Sequence, residues 1–245
     1  MQVVVLLSGG LDSLSALLWA IEQYGKNNVT PLYVDLGHRY VHKEIEAVKK
    51  ITNYLNLDWK LAKAKFVGNL EREDGHIPYR NLFLILTAVY HLPDGGVVVI
   101  QNTQTGEEAI SDRRLEFNQE VETLLNKLES RQIEIICPFP HFTKGQIVKW
   151  LASRVPKDLI KETIGCFSPI GKNCGRCSAC FRRWISLEAA GLIKNICTEY
   201  KEWNFDANPL EWEGVSEYIE KMKAGKYHPA RVRETERVLR KYGKW

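Results

Sequence analysis

The protein has 245 residues, of which 44% are hydrophobic, and its 34 Lys and Arg against 30 Asp and Glu give a net charge of +4. This composition excludes a disordered chain, a collagen and a coiled coil. No apolar run approaches the ~20 residues of a membrane span, and no basic segment precedes the first apolar run as in a signal peptide, so we expect a cytoplasmic protein without a membrane partner.

Strand-like and helix-like segments alternate along the first two-thirds of the chain. Apolar, β-branched runs predict buried strands, and apolar residues at helical spacing predict helices. In chain order they give strands at 2–7, 29–35, 96–101 and 133–137, and helices at 13–24, 41–55, 78–91, 112–128 and 143–153. The alternation predicts an α/β fold with a doubly wound parallel sheet. The loops at 8–13, 35–39 and 102–112 should then face one ligand site beyond the carboxyl ends of the strands.

The composition changes after residue 160, where a Gly- and Cys-rich segment precedes further helices. We expect an α/β domain at 1–160, a four-Cys zinc knuckle with a helix at 161–195, and a helical extension at 196–245. Residues 226–245 carry a net charge of +5, so the rest of the chain is close to neutral. On a helix these basic side chains lie opposite the apolar ones, which indicates a docked amphipathic helix, with contact to nucleic acid or an acidic protein as the alternative.

The sequence Ser8-Gly9-Gly10-Leu11-Asp12-Ser13 joins the first predicted strand to the first predicted helix. Two glycines permit a tight turn, and the helix N-terminus offers N–H groups to an anion. Asp12 would repel phosphate unless a cation intervenes, so it indicates a Mg²⁺ ligand or a residue that braces the loop. The loop has neither the Walker A pattern nor dinucleotide-binding glycine spacing, and it predicts a phosphate site of another kind.

Four of the six cysteines, Cys166, Cys174, Cys177 and Cys180, lie within fifteen positions. Their spacing favours a structural Zn²⁺ site closed by four thiolates. An iron–sulfur cluster also takes four cysteines, and four unliganded buried cysteines are a further alternative. The other two, Cys137 and Cys197, are interpreted as small core residues.

The loop at 8–13 resembles the pyrophosphate loop of the N-type ATP pyrophosphatases, the PP-loop family. Members of this family have a doubly wound parallel sheet, adenylate a substrate at the α-phosphate of ATP and release pyrophosphate. The resemblance implies that residues 1–160 bind ATP and Mg²⁺. It also implies which residues hold the β- and γ-phosphates: Ser8, Gly9, Gly10, Leu11, Asp12 and Ser13.

Within that family, residues 2–193 are most similar to the 7-cyano-7-deazaguanine synthases of queuosine biosynthesis. The similarity rests on Asp-Leu-Gly-His-Arg at 35–39, Ile-Pro-Tyr-Arg-Asn at 77–81, Gln-Asn at 101–102, Asp-Arg-Arg-Leu-Glu-Phe at 112–117, Thr-Lys at 143–144 and Cys-Gly-Arg-Cys-Ser-Ala-Cys-Phe-Arg-Arg at 174–183. The chain departs from the family at 105–111, where Ser-Gly-Tyr-Pro is absent. That loop would hold the deazaguanine.

The resemblance implies a ligase that forms C–N bonds. ATP would activate 7-carboxy-7-deazaguanine, and ammonia would convert the acyl-adenylate to an amide and then to the nitrile, preQ0. Catalysis is assigned to Asp12, Lys144 and Arg80, and adenine contact to Asp35 and Gly37. Substrate contact is assigned to His38, Asn81, Asn102, Asp112 and Arg113. Several of these residues also fit structural roles, such as turn capping for Asp35 and hydrogen bonding within the protein for His38.

Two other enzymatic interpretations stay open. One is a relative that acts on a different base or macromolecule, as in phage or defence-type deazaguanine modification, and the departure at 105–111 allows it. The other is a tRNA-modifying PP-loop enzyme, for which the basic tail is the candidate RNA contact. A non-enzymatic role fits the intact phosphate loop least well. A homodimer is also expected.

Overall fold

The computed structural model describes residues 1–72, 76–103, 111–168, 173–193, 211 and 214–245. The stretch at 104–110, which includes most of the loop that departs from the family, lies outside the described residues, as does Cys197. Within the described part, none of the helices is long and apolar enough to cross a membrane.

Five strands form one parallel sheet in the order β3-β2-β1-β4-β5. They are β1 (Val3–Leu6), β2 (Val29–Asp35), β3 (Lys60–Lys63), β4 (Gly96–Val99) and β5 (Ile133–Ile136). The order reverses direction on either side of β1, so the predicted doubly wound sheet is confirmed. Strand β3 was not predicted, because its Lys-Leu-Ala-Lys sequence belongs to a short, largely exposed edge strand without an apolar run.

Nine helices are described, and they cover both faces of the sheet. They are α1 (Leu11–Tyr24), α2 (Val41–Leu55), α3 (Arg80–Val89), α4 (Leu115–Leu128), α5 (Lys144–Ala152), α6 (Lys157–Glu162), α7 (Ser178–Ala189), α8 (Val215–Lys223) and α9 (Pro229–Lys241). The predicted helix at 112–128 starts later, because residues 111–113 form a 3₁₀ turn before α4. The alternation along β1 divides the core: Val3 and Val5 face the α1 side, whereas Val4 and Leu6 face the α3 and α4 side.

The last helix docks on the protein with its apolar face, as the amphipathic pattern predicts. Val238 and Leu239 are fully buried in the core that also holds α1, α5 and α7. The basic side chains of Arg233, Arg237 and Arg240 lie on the exposed face. The excess charge of the tail is therefore carried on a solvent-facing helix surface.

Candidate active site and metal centre

The loop between β1 and α1 is held in a tight conformation by its glycines and serines. Gly9 has φ +76°, and a Cβ there would lie 2.8 Å from Ala47 Cβ, so a larger residue would clash. The Ser13 hydroxyl accepts a hydrogen bond from Ser8 N (3.2 Å) and donates one to Gly10 O (3.2 Å). Gly10 caps α1 without a side chain, which leaves the first backbone N–H groups of the helix available to an anion.

Asp12 and Lys144 form an ion pair across the opening of this loop. Lys144 Nζ lies 2.9 Å from Asp12 Oδ2, and both side chains are about a quarter exposed (27% and 24%). The other carboxylate oxygen, Asp12 Oδ1, is buried and has no hydrogen-bond partner among the described residues. A buried carboxylate oxygen without a donor is costly unless a cation or ligand satisfies it. This part of the site therefore fits the Mg²⁺ role expected for Asp12.

The carboxyl ends of β1, β2 and β4 open onto a cavity of about 330 Å³. The cavity brings together most of the predicted site residues: Ser8, Gly10, Leu11, Asp12, Ser13, His38, Arg80, Asn81, Asn102, Arg113 and Lys144. Its wall does not include four others: Gly9, Asp35, Gly37 and Asp112. Cys166 and Phe167 of the cysteine knuckle also line it, so the knuckle is next to the cavity.

Asp35 and Gly37 build the turn after β2. Asp35 Oδ1 accepts a hydrogen bond from Gly37 N at 2.9 Å. Gly37 has φ +81°, and a Cβ there would lie 2.6 Å from Lys65 O, so the close backbone approach at this glycine is to the protein itself. The structure thus gives both residues a structural role, and their contact with adenine stays a prediction.

Asn81 and Asn102 both donate hydrogen bonds to the carbonyl of Asp112, at 3.0 and 3.3 Å. Asn102 also exchanges two side-chain hydrogen bonds with Asn118 of α4, at 2.8 and 3.0 Å. Asn118 is 2% exposed. The sequence analysis missed it, although a buried Asn on the apolar face of a predicted helix was a usable signal. These amides fix the start of α4 against the end of β4, and ligand contact by Asn81 or Asn102 stays a prediction.

His38 belongs to a buried hydrogen-bond network. Its Nε2 lies 3.1 Å from Glu44 Oε2, an oxygen that also accepts a hydrogen bond from the Tyr33 hydroxyl at 2.9 Å. Burial and the neighbouring Glu44 carboxylate raise the pKa of Tyr33 far above its ordinary value. The sequence analysis did not identify Glu44 or Tyr33. The observed contacts favour the structural interpretation of His38.

Two arginines line the cavity from the start of α3 and from the turn before α4. Arg80 is the first residue of α3, and it follows Tyr79, whose φ of +57° turns the chain into the helix. Arg113 ends the 3₁₀ turn that precedes α4. Both line the same cavity as Lys144, and Arg182 and Arg183 line it as well, so five cationic residues contribute to one lining. This arrangement suits an anionic ligand with more than one charged group.

The four cysteines of the knuckle converge on one point. Their Sγ atoms all lie within 4.8 Å of one another, and the Sγ atoms of Cys174 and Cys180 are 3.9 Å apart. Four sulfurs around one tetrahedral ion lie ~3.8 Å from each other, whereas a cluster spreads them over several irons. The thiols form hydrogen bonds with one another, which lowers the pKa of Cys166 and raises that of Cys180. The donor set fits a metal ion.

Cys137, at the end of β5, has the environment of a structural thiol. It is 9% exposed and donates a hydrogen bond to Thr103 O at 3.3 Å. Burial raises the pKa of Cys137 to about 11, so the thiol is neutral at physiological pH. The prediction that Cys137 is a small core residue is confirmed.

Comparison with known proteins places most of the chain in one family. The family model described as "Queuosine biosynthesis protein QueC" matches residues 2–74 and 69–191. The 7-cyano-7-deazaguanine synthase of Picrophilus torridus is 29% identical over 82% of this chain and 92% of its own length. That of Sulfolobus acidocaldarius is 28% identical over 78% of this chain, which spans only 46% of that relative.

Among solved structures, the chain resembles the U34-tRNA thiolase NcsA of Methanococcus maripaludis, whose structure contains a [4Fe-4S] cluster. The TM-score is 0.41 at 16% identity, covering 90% of this chain and 73% of that one. A likeness at this level carries no argument about activity or metal.

Proposed function

Since this chain belongs to the QueC family of queuosine biosynthesis proteins, we propose that it is a 7-cyano-7-deazaguanine synthase. It is an ATP-dependent ligase that converts 7-carboxy-7-deazaguanine and ammonia into the nitrile preQ0. The observation that carries the proposal is the Asp12–Lys144 pair at the head of the phosphate loop, which faces a cavity also lined by Arg80 and Arg113. The similar proteins of Sulfolobus acidocaldarius and Picrophilus torridus are both named 7-cyano-7-deazaguanine synthase, which also supports the proposal.

The first step forms an acyl-adenylate. A carboxylate oxygen of the substrate attacks the α-phosphorus of ATP, and pyrophosphate leaves. The backbone N–H groups at the start of α1 and the hydroxyl of Ser8 bind the β- and γ-phosphates. Lys144 stabilises the negative charge that develops on the α-phosphate oxygens. Asp12 holds the Lys144 ammonium at the mouth of the loop and, through Oδ1, would bind a Mg²⁺ ion, which neutralises phosphate charge when present.

Two further steps convert the acyl-adenylate to the nitrile. Ammonia adds to the acyl carbon, loses a proton, and expels AMP to leave the primary amide. The amide oxygen then attacks the α-phosphorus of a second ATP, pyrophosphate leaves, and loss of AMP with the two amide protons gives the nitrile. Arg80 and Arg113, which line the same cavity, bind the substrate carboxylate before the first activation. In the second activation the substrate is a neutral amide.

The activity is tested with purified protein, ATP, Mg²⁺, ammonia and 7-carboxy-7-deazaguanine. We expect amide and nitrile by mass spectrometry, with two pyrophosphates released for each nitrile. Consumption of the substrate without pyrophosphate release would contradict adenylation. ATP binding without any turnover of this substrate would instead favour a relative that acts on a different base or macromolecule.

We propose that the metal held by Cys166, Cys174, Cys177 and Cys180 is Zn²⁺ in a structural role. The mutual distances of the sulfurs, within 4.8 Å, support a single ion. Elemental analysis should give about one zinc per chain, and the absorption spectrum of the protein should show no band in the visible range. Iron in stoichiometric amount together with such a band would contradict the proposal.

Sulfur transfer to tRNA is the less favoured function. Where such chemistry uses a thiolate nucleophile, Cys137 is poorly suited to it, because its thiol is buried and its pKa is raised to about 11. Cys197 lies outside the described residues. The proposed synthase uses ammonia as its nitrogen donor. A homodimer and a cytoplasmic location stay predictions, and size-exclusion chromatography with light scattering tests the former.

A further inference from the structure

The last helix, which lies beyond the residues that the family model matches, inserts a carboxylate at the start of the helix that carries Lys144. Glu234 of α9 accepts a hydrogen bond from the hydroxyl of Thr143 through Oε2. Its Oε1 accepts a second hydrogen bond from Gly145 N at 3.2 Å. These two donors flank Lys144 in the chain. The contact therefore ties the C-terminal segment to the first turn of α5.

The local sequence leaves room for this carboxylate. Gly145 is buried, and a Cβ at this position would meet the Glu234 carboxylate as well as Ala189 Cβ, the latter at 2.7 Å. Thr143 is 6% exposed, and its hydroxyl also accepts a hydrogen bond from the backbone N–H of Gln146 in a capping box. The first turn of α5 is thus satisfied from two sides, by its own cap and by a residue from α9.

The electrostatics explain what the contact does for Lys144. A cation in the first turn of a helix is unfavourable, because the N-terminal end of the helix carries partial positive charge. The Glu234 carboxylate supplies a compensating negative charge at that end. The Asp12 carboxylate, 2.9 Å from Lys144 Nζ, lies on the cavity side. Asp12, near the start of the chain, thus pairs with the Lys144 ammonium. Glu234, near its end, binds the two residues on either side of Lys144.

Glu234 is positioned by a well-anchored helix. Val238 and Leu239 are fully buried one turn further on. Arg231 Nε donates to the Tyr218 hydroxyl of α8 at 2.8 Å, and Lys241 Nζ lies 3.1 Å from Glu188 of α7. These contacts fix α9 at both ends. The Glu234 carboxylate is thus presented to α5 in one place.

We propose that Glu234 is a positioning residue for the nucleotide site: it fixes the first turn of α5 so that the Lys144 ammonium faces the α-phosphate. The proposal rests on the proposed function only in assigning Lys144 to ATP. It predicts that the C-terminal helix, although outside the cavity wall, sets the affinity for ATP. The helix would act through Lys144 and not through a contact of its own with the nucleotide.

A double-mutant cycle on ATP binding tests this coupling. Equilibrium affinity for ATP with Mg²⁺ is measured for the full chain and for Glu234→Ala, Lys144→Ala and the double variant. We expect E234A to weaken binding roughly fivefold and K144A roughly tenfold. The double variant should be no weaker than K144A alone. Losses that multiply in the double variant would overturn the proposal, because Glu234 would then act independently of Lys144.

The matched control is Glu236→Ala, two positions away on the same helix. Glu236 pairs with Arg240 at 2.6 Å on the surface, away from α5. We expect its ATP affinity to equal that of the unmodified chain. A loss as large as that of E234A would indicate a general disturbance of α9 and would also overturn the proposal.

Glu234→Gln keeps an acceptor oxygen for Gly145 N but removes the charge, and it guards against a folding defect. We expect it to retain ATP affinity within about twofold to threefold, and so to rescue part of the E234A loss. Should thermal unfolding show that E234A is not folded, the cycle is run with E234Q, and the smaller loss must again vanish in the K144A background. An E234Q loss that persists there would contradict the proposal.

The binding assay needs no deazaguanine, so it separates this inference from the proposed function. Non-additive ATP binding in a protein that does not convert 7-carboxy-7-deazaguanine would support the positioning role and reject the substrate. Normal conversion with additive losses would do the opposite.

Discussion

The cavity has two walls that use polar residues in opposite ways. The phosphate-loop wall, formed by residues 8–13 and Lys144, presents backbone N–H groups, an ion pair and the unpartnered Asp12 Oδ1. The amide wall is lined by Asn81 and Asn102 and supported from behind by Asn118 and the Asp112 carbonyl, so its amides form hydrogen bonds within the protein. Polar residues in a motif therefore divide into those that stay available to a ligand and those that form hydrogen bonds within the protein beside them.

The difference follows from what each wall must do. A phosphate site needs donors and charge that are pre-organised but not consumed by the protein. The amide wall must hold the entrance to α4 against the end of β4, where an unpaired buried backbone carbonyl would be costly. We therefore expect variants of the first wall to lower turnover with the fold intact, and variants of the second to lower stability and substrate affinity together.

The largest effect is expected for Asp12→Asn, which tests the phosphate-loop wall. The change removes the charge that holds Lys144 and that would bind Mg²⁺, so turnover should fall by about 10³-fold or more. Steady-state pyrophosphate release measures it, and thermal unfolding should be unchanged. The control is Asp158→Asn, an exposed carboxylate that pairs with Lys161 at 3.0 Å. Retained activity in D12N would contradict the catalytic role proposed for Asp12.

Lys144→Met is expected to have the next largest effect. It keeps the aliphatic stem but removes the ammonium, and loss of one such donor to a developing charge lowers kcat by about 10²-fold. The control Lys149→Met removes an exposed lysine from the same helix and should leave kcat unchanged. Equal rates for the two variants would contradict a role of the Lys144 ammonium in turnover.

Asn118→Ala tests the amide wall. It removes both hydrogen bonds between Asn102 and Asn118 and leaves the Asn102 amide only its bond to the Asp112 carbonyl, which should cost about 1–3 kcal/mol of stability. The KM for the deazaguanine should rise by roughly an order of magnitude, because the start of α4 shifts. Asn126→Ala is a close control, since Asn126 also makes two hydrogen bonds, both to the Ile133 backbone at 2.8 Å, but away from the cavity. Asn126→Ala should lower stability by a similar amount without raising the KM. An equal rise in KM for both variants would contradict a specific role of Asn118 beside the cavity.

The smallest effect is expected for Arg113→Gln. Loss of one cation among the five that line the cavity should raise the KM for the carboxylate substrate roughly fivefold to tenfold and leave the KM for ATP unchanged. Arg114→Gln, which removes a surface cation that lies 4.0 Å from Glu120, serves as the control. A rise in the KM for ATP would move Arg113 to the nucleotide side of the cavity.

Short-range signals in the sequence predicted much of the fold and part of the site. Four of the five strands are apolar runs, and the phosphate loop and the cysteine knuckle are patterns of neighbouring residues. The edge strand β3 was missed, since a short, largely exposed strand lacks such a run. Asn81 and Asn102 were assigned to a ligand, but nothing in their own sequence shows that the Asp112 carbonyl is their partner.

The sequence by itself determined the parallel α/β sheet, the phosphate loop after the first strand and the four metal-ligating cysteines, because periodicity, glycine positions and Cys spacing are local properties. Only the tertiary structure decided that Lys144 pairs with Asp12, that Asn118 completes the amide wall, and that Glu234 of the last helix reaches the start of α5. The partner of a short polar side chain is set by whichever distant element packs beside it. Packing of that kind leaves no local trace in the chain.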